Sequence, residues 1–577
     1  MAIVTDLLDE LQRKRTDRAP WEQHWLDIAR YVLPDVERFD RMFASSEKVT
    51  TAINTVVSEP VAARRGRDLY DMTSLWAVER GAAGTLALVT PQTGTWHDLT
   101  TDDPFGGEPS DEERRFYEAL RNYLFTVRSN PRSGFWASHK ASLRCMWGFG
   151  TSVIFIGDAV SRGVSAPISY AYVPISENHL GTNFEGVVDT NYRLFTRSAR
   201  QCVERWGAAC SAKTQEMASD PKKRDQLVTI LHAVAPRAEA GSYGNTVRNS
   251  PFMSCYVEVE EKKLIGESGF FEFPFRVDHW QRNTTQPYAE GPVAVAIADI
   301  KSLNIMAKAE LTSTQQAVSP PIATPPETLG QRLDLNPRAV NPGFVNARGQ
   351  LLAQPILTAR PDFAQAVLEV RRQQLRTTLY IDLWTTIIDS QREQTAYEVS
   401  IKNQERADMI GPVGTSLQAG LSFQIDREIG ILNRLGAFML GSPLEAPESL
   451  QGKDIGVRFT SPLDRARKLG ELQGVQQLFV FAQALAESGS SEVLDKLDAD
   501  EAIDFAQEVL GAPRRVMVPE DVLATRRQAR SEAAQKQGAL QDAAQSGMAA
   551  QEAAAGAEAL AASPAAQEVL KRIGGVA

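Results

Sequence analysis

At 577 residues the chain is longer than one hydrophobic core organises, about 250 to 300 residues, so several sub-structures are expected. Its 62 Lys and Arg against 72 Asp and Glu leave a net charge of −10, which excludes a protein that grips nucleic acid over its whole surface; any such contact is local or weak. The four cysteines, Cys145, Cys202, Cys210 and Cys255, form no C-x-x-C pair and read as buried free thiols of a reducing compartment.

The chain starts MAIVTDLLDELQRKRTDRAPWEQHW, amphipathic and charged, without the apolar core of a signal peptide, so synthesis in a cytoplasm is expected. Apolar positions recur at helical spacing over residues 3–33 and again over 53–90, through Ala62, Leu69, Leu75, Trp76, Leu86 and Leu88. Trp21 and Trp25, four apart on one helical face, read first as core packing and second as contact residues. The most apolar run, GAAGTLALVTP from Gly81, is far shorter than the roughly 20 residues of a membrane span, and no membrane anchoring is expected.

From about Trp147 the pattern turns to short β-rich runs bounded by Gly, Asn, Asp or Pro: TSVIFIGD, ISYAYVPI, GVVDTNYRLFT and PFMSCYVEVEE. A helical insert is expected at 197–235, between the last two. After Gly291-Pro292 a helix of about 20 to 25 residues is expected, roughly 30 to 37 Å long, with Ala296, Ile300, Leu303, Ala307 and Leu311 on one face. Residues 319–361 are Pro- and Asn-rich and read as a compact irregular excursion. A second helix opens at Pro361-Asp362, where the acidic side chain complements the helix dipole.

The polar DSQREQ then reads as a loop, and Thr395 with Glu398 has the spacing of a capping box that starts a new helix. Gly411-Pro412 is expected to kink or break that helix. Val457-Arg458-Phe459 suggests one more strand, and residues 463–525 several helices. The tail from about 526 to 577, rich in Ala, Gln and Glu and free of aromatic residues, has little to bury and needs neighbours or stays mobile.

The sequence offers no catalytic constellation. The run G-x-x-x-x-G-K-[ST], whose amides and Lys would cradle phosphates, does not occur, and Gly148-Phe149-Gly150 lacks the Lys and reads as a structural turn. The histidines His24, His97, His139, His179, His232 and His279 are scattered, with neither H-E-x-x-H nor a G-x-S-x-G elbow in the chain. His279, beside Trp280, reads as a packed or hydrogen-bonded residue, and Asp102-Asp103 and Glu112-Glu113 as solvated faces or helix N-termini. No enzyme, catalytic residue, cofactor or metal is therefore expected.

Four blocks carry a resemblance. They are RRGRDLYDMTSLWAVERGAAGTLALVTPQTGTWHDL from Arg64, GFGTSVIFIG from Gly148, PFRVDHWQRNTTQPYAEGPVAVAIADIKSLN from Pro274 and TAYEVSIKNQERADMIGPV from Thr395. In this order, over most of residues 10–440, the chain resembles the head-to-tail connector, or portal, proteins of short-tailed phages. It departs from that pattern at His279-Trp280, Tyr288-Ala289 and Lys402, where the family tends to have Arg-Trp, Tyr-Gly and an Arg.

The resemblance implies an α+β, mostly helical subunit of a portal-type ring, typically of twelve copies, at one capsid vertex of the virion. It implies a wing over 1–290, a first stem helix over 291–318, a clip over 319–360, a second stem helix over 361–388 and a channel loop over 389–394. A kinked wing helix and return would occupy 395–460, a crown 461–525 and a C-terminal barrel or tail 526–577. It further implies double-stranded DNA in transit, bound without sequence preference, and as partners the terminase, tail adaptor proteins, major capsid and scaffolding proteins, and internal core or ejection proteins. Synthesis would be in the bacterial host cytoplasm.

Within that frame the loop residues Gln391, Arg392, Glu393 and Gln394 are candidate DNA-facing positions. So are Lys301 and Lys308, seven apart on one helix face, and Arg372 and Arg376, four apart on another. The plainer reading of the four helix residues is salt bridging between neighbouring stems, or solvation. Two alternatives to a portal subunit remain: another neck or tail ring component, such as an adaptor or tube protein, and a DNA-packaging enzyme subunit, which the missing phosphate loop disfavours.

Overall fold

The structure is a computed structural model. It describes residues 2–34, 66, 69–102, 109–160, 166–237, 250–281, 285–319, 361–382, 396–439, 455–487, 496–510, 516–518 and 520–561, with short pieces of 321–355 and 441–450. The expected helical stretch over 53–65, the 389–394 loop and the Thr395 cap lie outside these residues. Two compact units divide the chain at Gly470 and Glu471.

The first unit opens with helix α1, Ala2–Tyr31. Helix α2, Thr73–Val89, follows, so that Leu69 precedes the helix rather than belonging to it. Strand β1, His97–Thr101, leads to α3, Asp111–Ser129, whose first turn is closed by a capping box between Ser110 and Glu113. That box accounts for the acidic Glu113 as a helix N-terminus.

Helix α4, Phe135–Phe149, stops at Gly150, which has φ +82° and passes the chain straight into β2, Thr151–Asp158. A Cβ at Gly150 would stand 2.2 Å from the Ala289 carbonyl oxygen and 2.4 Å from the Gly291 nitrogen. The Gly148-Phe149-Gly150 run is thus a turn pressed against the backbone that enters the next long helix.

Strands β3, Ile168–Val173, β4, Asn178–Thr182, and β5, Val188–Ser198, are followed by short helices α5, Ala199–Trp206, and α6, Ala212–Ser219. Strands β6, Leu227–Pro236, β7, Phe252–Glu258, β8, Lys263–Phe270, and β9, Phe275–His279, complete two antiparallel sheets. One has the order β3-β2-β9, the other β4-β5-β6-β7-β8.

The expected helical insert over 197–235 is corrected here: only 199–219 contains helix, and 227–236 is the central strand of the larger sheet. The run VTILHAVA is mostly apolar and buried throughout because both of its faces are covered, and such a run carries no alternation to separate strand from helix. Leu231, Ala233 and Ala235 pack under Val4, Leu7 and Leu11 of α1, while Val228 and Ile230 pack with Phe195, Cys202 and Cys210. The C-terminal half of α1 enters the main core through Trp25, Ile28, Val32 and Leu33, so this one helix ties two cores together.

Helix α7, Pro292–Val318, begins with Gly291 as N-cap and Pro292 in its first turn, as its sequence predicts. The excursion after it contains a short antiparallel pair, β10, Ile322–Ala323, with β11, Gln354–Pro355. Helix α8, Pro361–Thr378, and α9, Ala396–Arg434, follow.

Of the kink or break expected at Gly411-Pro412 the break does not occur, since α9 runs through Pro412 as one helix. Ile410, Val413, Leu417, Leu421 and Ile425 form one buried stripe across the proline, which itself faces outward. Burial of that stripe outweighs the roughly 3 kcal/mol that an interior proline costs. Strand β12, Ile455–Phe459, pairs with β1 and confirms the strand expected at Val457 to Phe459.

Helix α10, Pro462–Glu487, begins in the first unit and continues into the second. The second unit also holds α11, Ala499–Leu510, and α12, Glu520–Ala561. Arg527 of α12 makes a two-bond pair with Asp500 of α11, at 2.6 Å each. Leu478, Val480, Phe481, Ile503 and Leu510 of this unit are exposed. The chain is thus α+β and mostly helical, and no described helix is long and apolar enough to cross a membrane.

Candidate functional site

The sequence places its candidate residues on the α7–α8 pair, and the structure shows what holds that pair. On α7 the residues Val293, Ala296, Ile300, Leu303 and Ala307 are buried at spacings of three and four, and Leu368 and Leu375 of α8 are buried with them in the main core. The expected stripe is corrected at its far end: Leu311 is 47 % exposed and Val318, on the same face seven residues on, 82 % exposed. The stripe continues past the place where this chain covers it.

Polar groups fix the pair to the body. The buried Asn304 side-chain oxygen accepts from the Tyr70 amide at 2.7 Å and from the Asp71 amide at 3.3 Å. The Asp71 carboxylate accepts from the Thr73 amide at 2.9 Å and from Arg372 Nε of α8 at 2.9 Å. Burial alone would raise the Asp71 carboxyl; the Thr73 and Arg372 hydrogen bonds outweigh it and hold the group below its ordinary value. Asp71 thus joins three elements, α7 through its amide and α8 and the start of α2 through its carboxylate.

The four candidate cations divide accordingly. Lys301 is paired with Asp27 of α1 at 2.5 Å, and Arg372 with Asp71. Arg376 lies 3.9 Å from Glu369 on its own helix. Lys308 is exposed, stands 5.4 Å from the Tyr70 ring centroid, and has no carboxylate partner among the described residues. The pairs of Lys301 and Arg372 are made within one chain, to α1 and to the segment before α2. Gln391, Arg392, Glu393 and Gln394 lie outside the described residues.

A second polar system went unseen in the sequence. Arg128, at the end of α3, donates to both carboxylate oxygens of Glu428 on α9, at 3.2 and 2.5 Å, and both side chains are almost wholly buried. Tyr170 of β3 donates to Glu428 at 2.6 Å, and Gln424 at 2.7 Å. Arg276 of β9 continues the chain: it donates to Gln424 at 2.8 Å and through Nε to Asp278 at 2.8 Å, and its charge is paired with the same carboxylate.

The His97 ring nitrogen Nε2 accepts from Arg128 at 2.6 Å, and His139 Nε2 is bonded to Thr90 Oγ1 at 2.8 Å. Burial first, and the nearby guanidinium groups second, hold both histidines well below 6.5, so both are neutral. The side chains of the network are buried. It therefore acts as a brace between the β3-β2-β9 sheet, α3, α4 and α9. Pairs up to 300 residues apart leave no local sequence signal.

Gly420 lets α9 approach this brace, since a Cβ there would stand 2.2 Å from Asp278 Oδ1. His279 is bonded to the Pro287 carbonyl at 3.1 Å, and Trp280 packs against Trp147 at 4.5 Å, as their packing reading expects. Trp25 is buried in the main core and Trp21 packs against it. All four cysteines are free and buried. Burial pushes the Cys202 and Cys210 thiols up to about 11. Among the described residues no group of three or more His, Cys, Asp or Glu could hold a metal ion.

A cavity of about 570 Å³ lies where β9, β5, the end of α8 and the middle of α9 meet, lined by Phe275, Trp280, Tyr380, Met409, Ile410 and Phe423 among others. Its lining is largely apolar and also includes His279, Thr415 and Ser416.

Comparison with known proteins follows the same line. A family model described as bacteriophage head to tail connecting protein matches residues 4–518. The portal protein of Salmonella phage epsilon15 is 27 % identical over 546 residues, 92 % of this chain and 92 % of that protein. The probable portal protein of Bordetella phage BPP-1 is 25 % identical over 543 residues, 93 % of this chain and 92 % of that one. Among solved structures, a chain of the neck of an empty gene transfer agent particle is 13 % identical over 77 % of this chain and 95 % of its own, with a TM-score of 0.36. A chain of the native particle's virion gives 11 %, 75 % and 89 %, with a TM-score of 0.34; both likenesses are too slight to bear on function.

Proposed function

The chain belongs to the bacteriophage head-to-tail connecting proteins, and from that premise we propose that it works as one subunit of a ring through which the genome enters and leaves the capsid. The connector role is carried by the match across residues 4–518. The ring reading rests on the helix pair: an apolar stripe that continues through Leu311 and Val318, with Val295, Ile305 and Val370 also exposed, needs cover that one chain does not supply. Neighbouring copies in a closed ring, typically of twelve, supply it by heterologous contact.

In this reading residues 1–290 form the wing, α7 and α8 the stem, 319–360 the clip and 389–394 the channel loop. Residues 395–460 return through the wing, 461–525 form the crown, and 526–577 a C-terminal barrel or tail. DNA passes without sequence preference along a net acidic conduit that guides it without holding it, because each neutralised phosphate would add affinity. Of the basic candidates Lys308 is best suited to touch phosphate, since Lys301 and Arg372 already serve Asp27 and Asp71. Arg392 is the loop's candidate for the same task.

The ring would sit at the portal vertex of the virion after synthesis in the host cytoplasm. It would dock the terminase during packaging and tail adaptors afterwards, and contact major capsid, scaffolding and internal core or ejection proteins. It would do so without a reaction of its own. A conditional null mutation of the gene in the phage, with heads scored for DNA, tests this. Heads empty of DNA are expected, and DNA-filled heads assembled without the protein would overturn the reading.

A further inference from the structure

Two surfaces of the first unit have no use inside the chain. The tip between β4 and β5 carries Phe184, 104 % exposed and the most exposed large hydrophobic side chain among the described residues. The tip is built to hold its shape. Asn183 Oδ1 accepts from the Glu185 amide at 3.0 Å and from the Val187 amide at 2.8 Å, and Asn183 Nδ2 donates to the Glu185 carboxylate at 2.8 Å. The Asn183 amide donates to the Val187 carbonyl at 2.9 Å, the Gly186 amide to the Asn183 carbonyl at 3.1 Å, and Gly186 takes φ +74°. An aromatic ring on a preformed tip loses little conformational freedom when it docks. Val187, also exposed, and the acidic Glu185 and Asp189 surround it.

The second surface runs along the start of α2. Tyr70, Met72 and Trp76 are 37, 61 and 43 % exposed, and Met72, Trp76 and Arg80 follow one another at spacing four on one helix face. The Arg80 guanidinium lies 5.6 Å from the Trp76 ring centroid, and Lys308 Nζ 5.4 Å from that of Tyr70. Neither cation has an ion-pair partner among the described residues. Tyr, Trp, Met and Arg are the residue types enriched at protein interfaces; here Tyr70, Met72 and Trp76 are exposed and Arg80 is half-buried beside Trp76.

We propose that Phe184 of one copy docks between Met72 and Trp76 of the next copy around the ring, with Glu185 and Asp189 facing Arg80. This rests on the ring reading above. The second copy is the occupant because the two surfaces complement each other in charge, one apolar anchor with acidic neighbours against an apolar seat flanked by the Arg80 guanidinium. They are also built from different elements and share no residue, which a head-to-tail ring contact requires.

The test uses the full-length chain with Met72→Cys and Phe184→Cys, singly and together, under a short thiol crosslinker, beside native mass spectrometry of the uncrosslinked proteins. Both positions are exposed, so the variants are expected to keep the wild-type melting temperature. A ladder of covalent multimers from the double variant alone is the expected result. In addition Phe184→Ser, and Glu185→Arg and Arg80→Glu singly, should raise the concentration for half-assembly by about tenfold or more, with Glu185→Arg and Arg80→Glu together restoring it.

Rings that form with no ladder and no change in half-assembly would overturn this contact and leave the connector reading standing. Covalent dimers from Phe184→Cys alone would replace it with a symmetric contact, or one made through a different partner surface. A wild-type chain that forms no ring would remove the contact together with the ring reading.

Discussion

The body around α9 and the α7–α8 pair use the same kinds of residue to opposite ends. In the body Arg128 and Glu428 are wholly enclosed, every neighbour is supplied by the chain itself, and the brace links elements that are far apart in sequence. In the helix pair Arg372 and Lys301 reach back to Asp71 and Asp27 from half-exposed positions, and apolar residues beyond Ala307 stay uncovered. The brace finds its partners within one chain, while the pair is fastened at its base and keeps apolar residues exposed farther along. Such a division suits a subunit whose body must stay rigid while its helices meet other copies.

The sharpest way to break this comparison is Glu428→Ala, which strands a buried guanidinium. A loss of about 3 to 5 kcal/mol in denaturant unfolding of the body is expected; a loss under about 1 kcal/mol would mean that the brace is not what holds it.

Next comes mild acid. His97, His139 and His179 are held well below 6.5, chiefly by burial, whereas in the unfolded chain they titrate near 6.5. Their contribution is fully present above pH 6.5 and is lost as pH falls toward their folded values. The melting temperature should therefore drop from pH 7 to pH 5 with a slope of up to about three protons taken up on unfolding. A flat profile would contradict neutral buried histidines.

Asp71→Asn probes the pair with a smaller effect, about 1 to 2 kcal/mol from the lost charge-assisted bond to Arg372. The folded carboxyl is held below its ordinary 3.8, so its stabilisation is present above that value and disappears as pH falls through the folded one. Wild type and variant should therefore differ at pH 7 and converge in strong acid, by thermal melting at each pH. Lys308→Gln should change stability by less than about 0.5 kcal/mol, since the side chain is exposed and makes no ion pair among the described residues. Any defect it causes belongs in packaged DNA per head, not in melting temperature.

What the sequence made legible was local. Gly291-Pro292 marked the start of α7 because cap and first-turn chemistry sit in adjacent residues, and Gly150 could be read as a turn. Strand β6 could not be read, because a strand covered on both faces loses its alternation. The proline in α9 does not end the helix because its cost is local, while the stripe that offsets it packs against distant residues. The basic positions Lys301 and Arg372 were visible, but their partners Asp27 and Asp71, 274 and 301 residues away, were not. The Arg128–Glu428 brace is the extreme case, two ordinary charged residues whose meaning exists only in the fold.

The measurement that tests the account most directly is electron cryo-microscopy of the full-length protein from phage heads, read for ring closure and for cover on α7. The account predicts a closed ring around an axial channel, the helix pair beside that channel, and Leu311 and Val318 buried against a neighbouring copy. A particle without a ring, or a ring whose copies meet elsewhere and leave both residues in solvent, would contradict it.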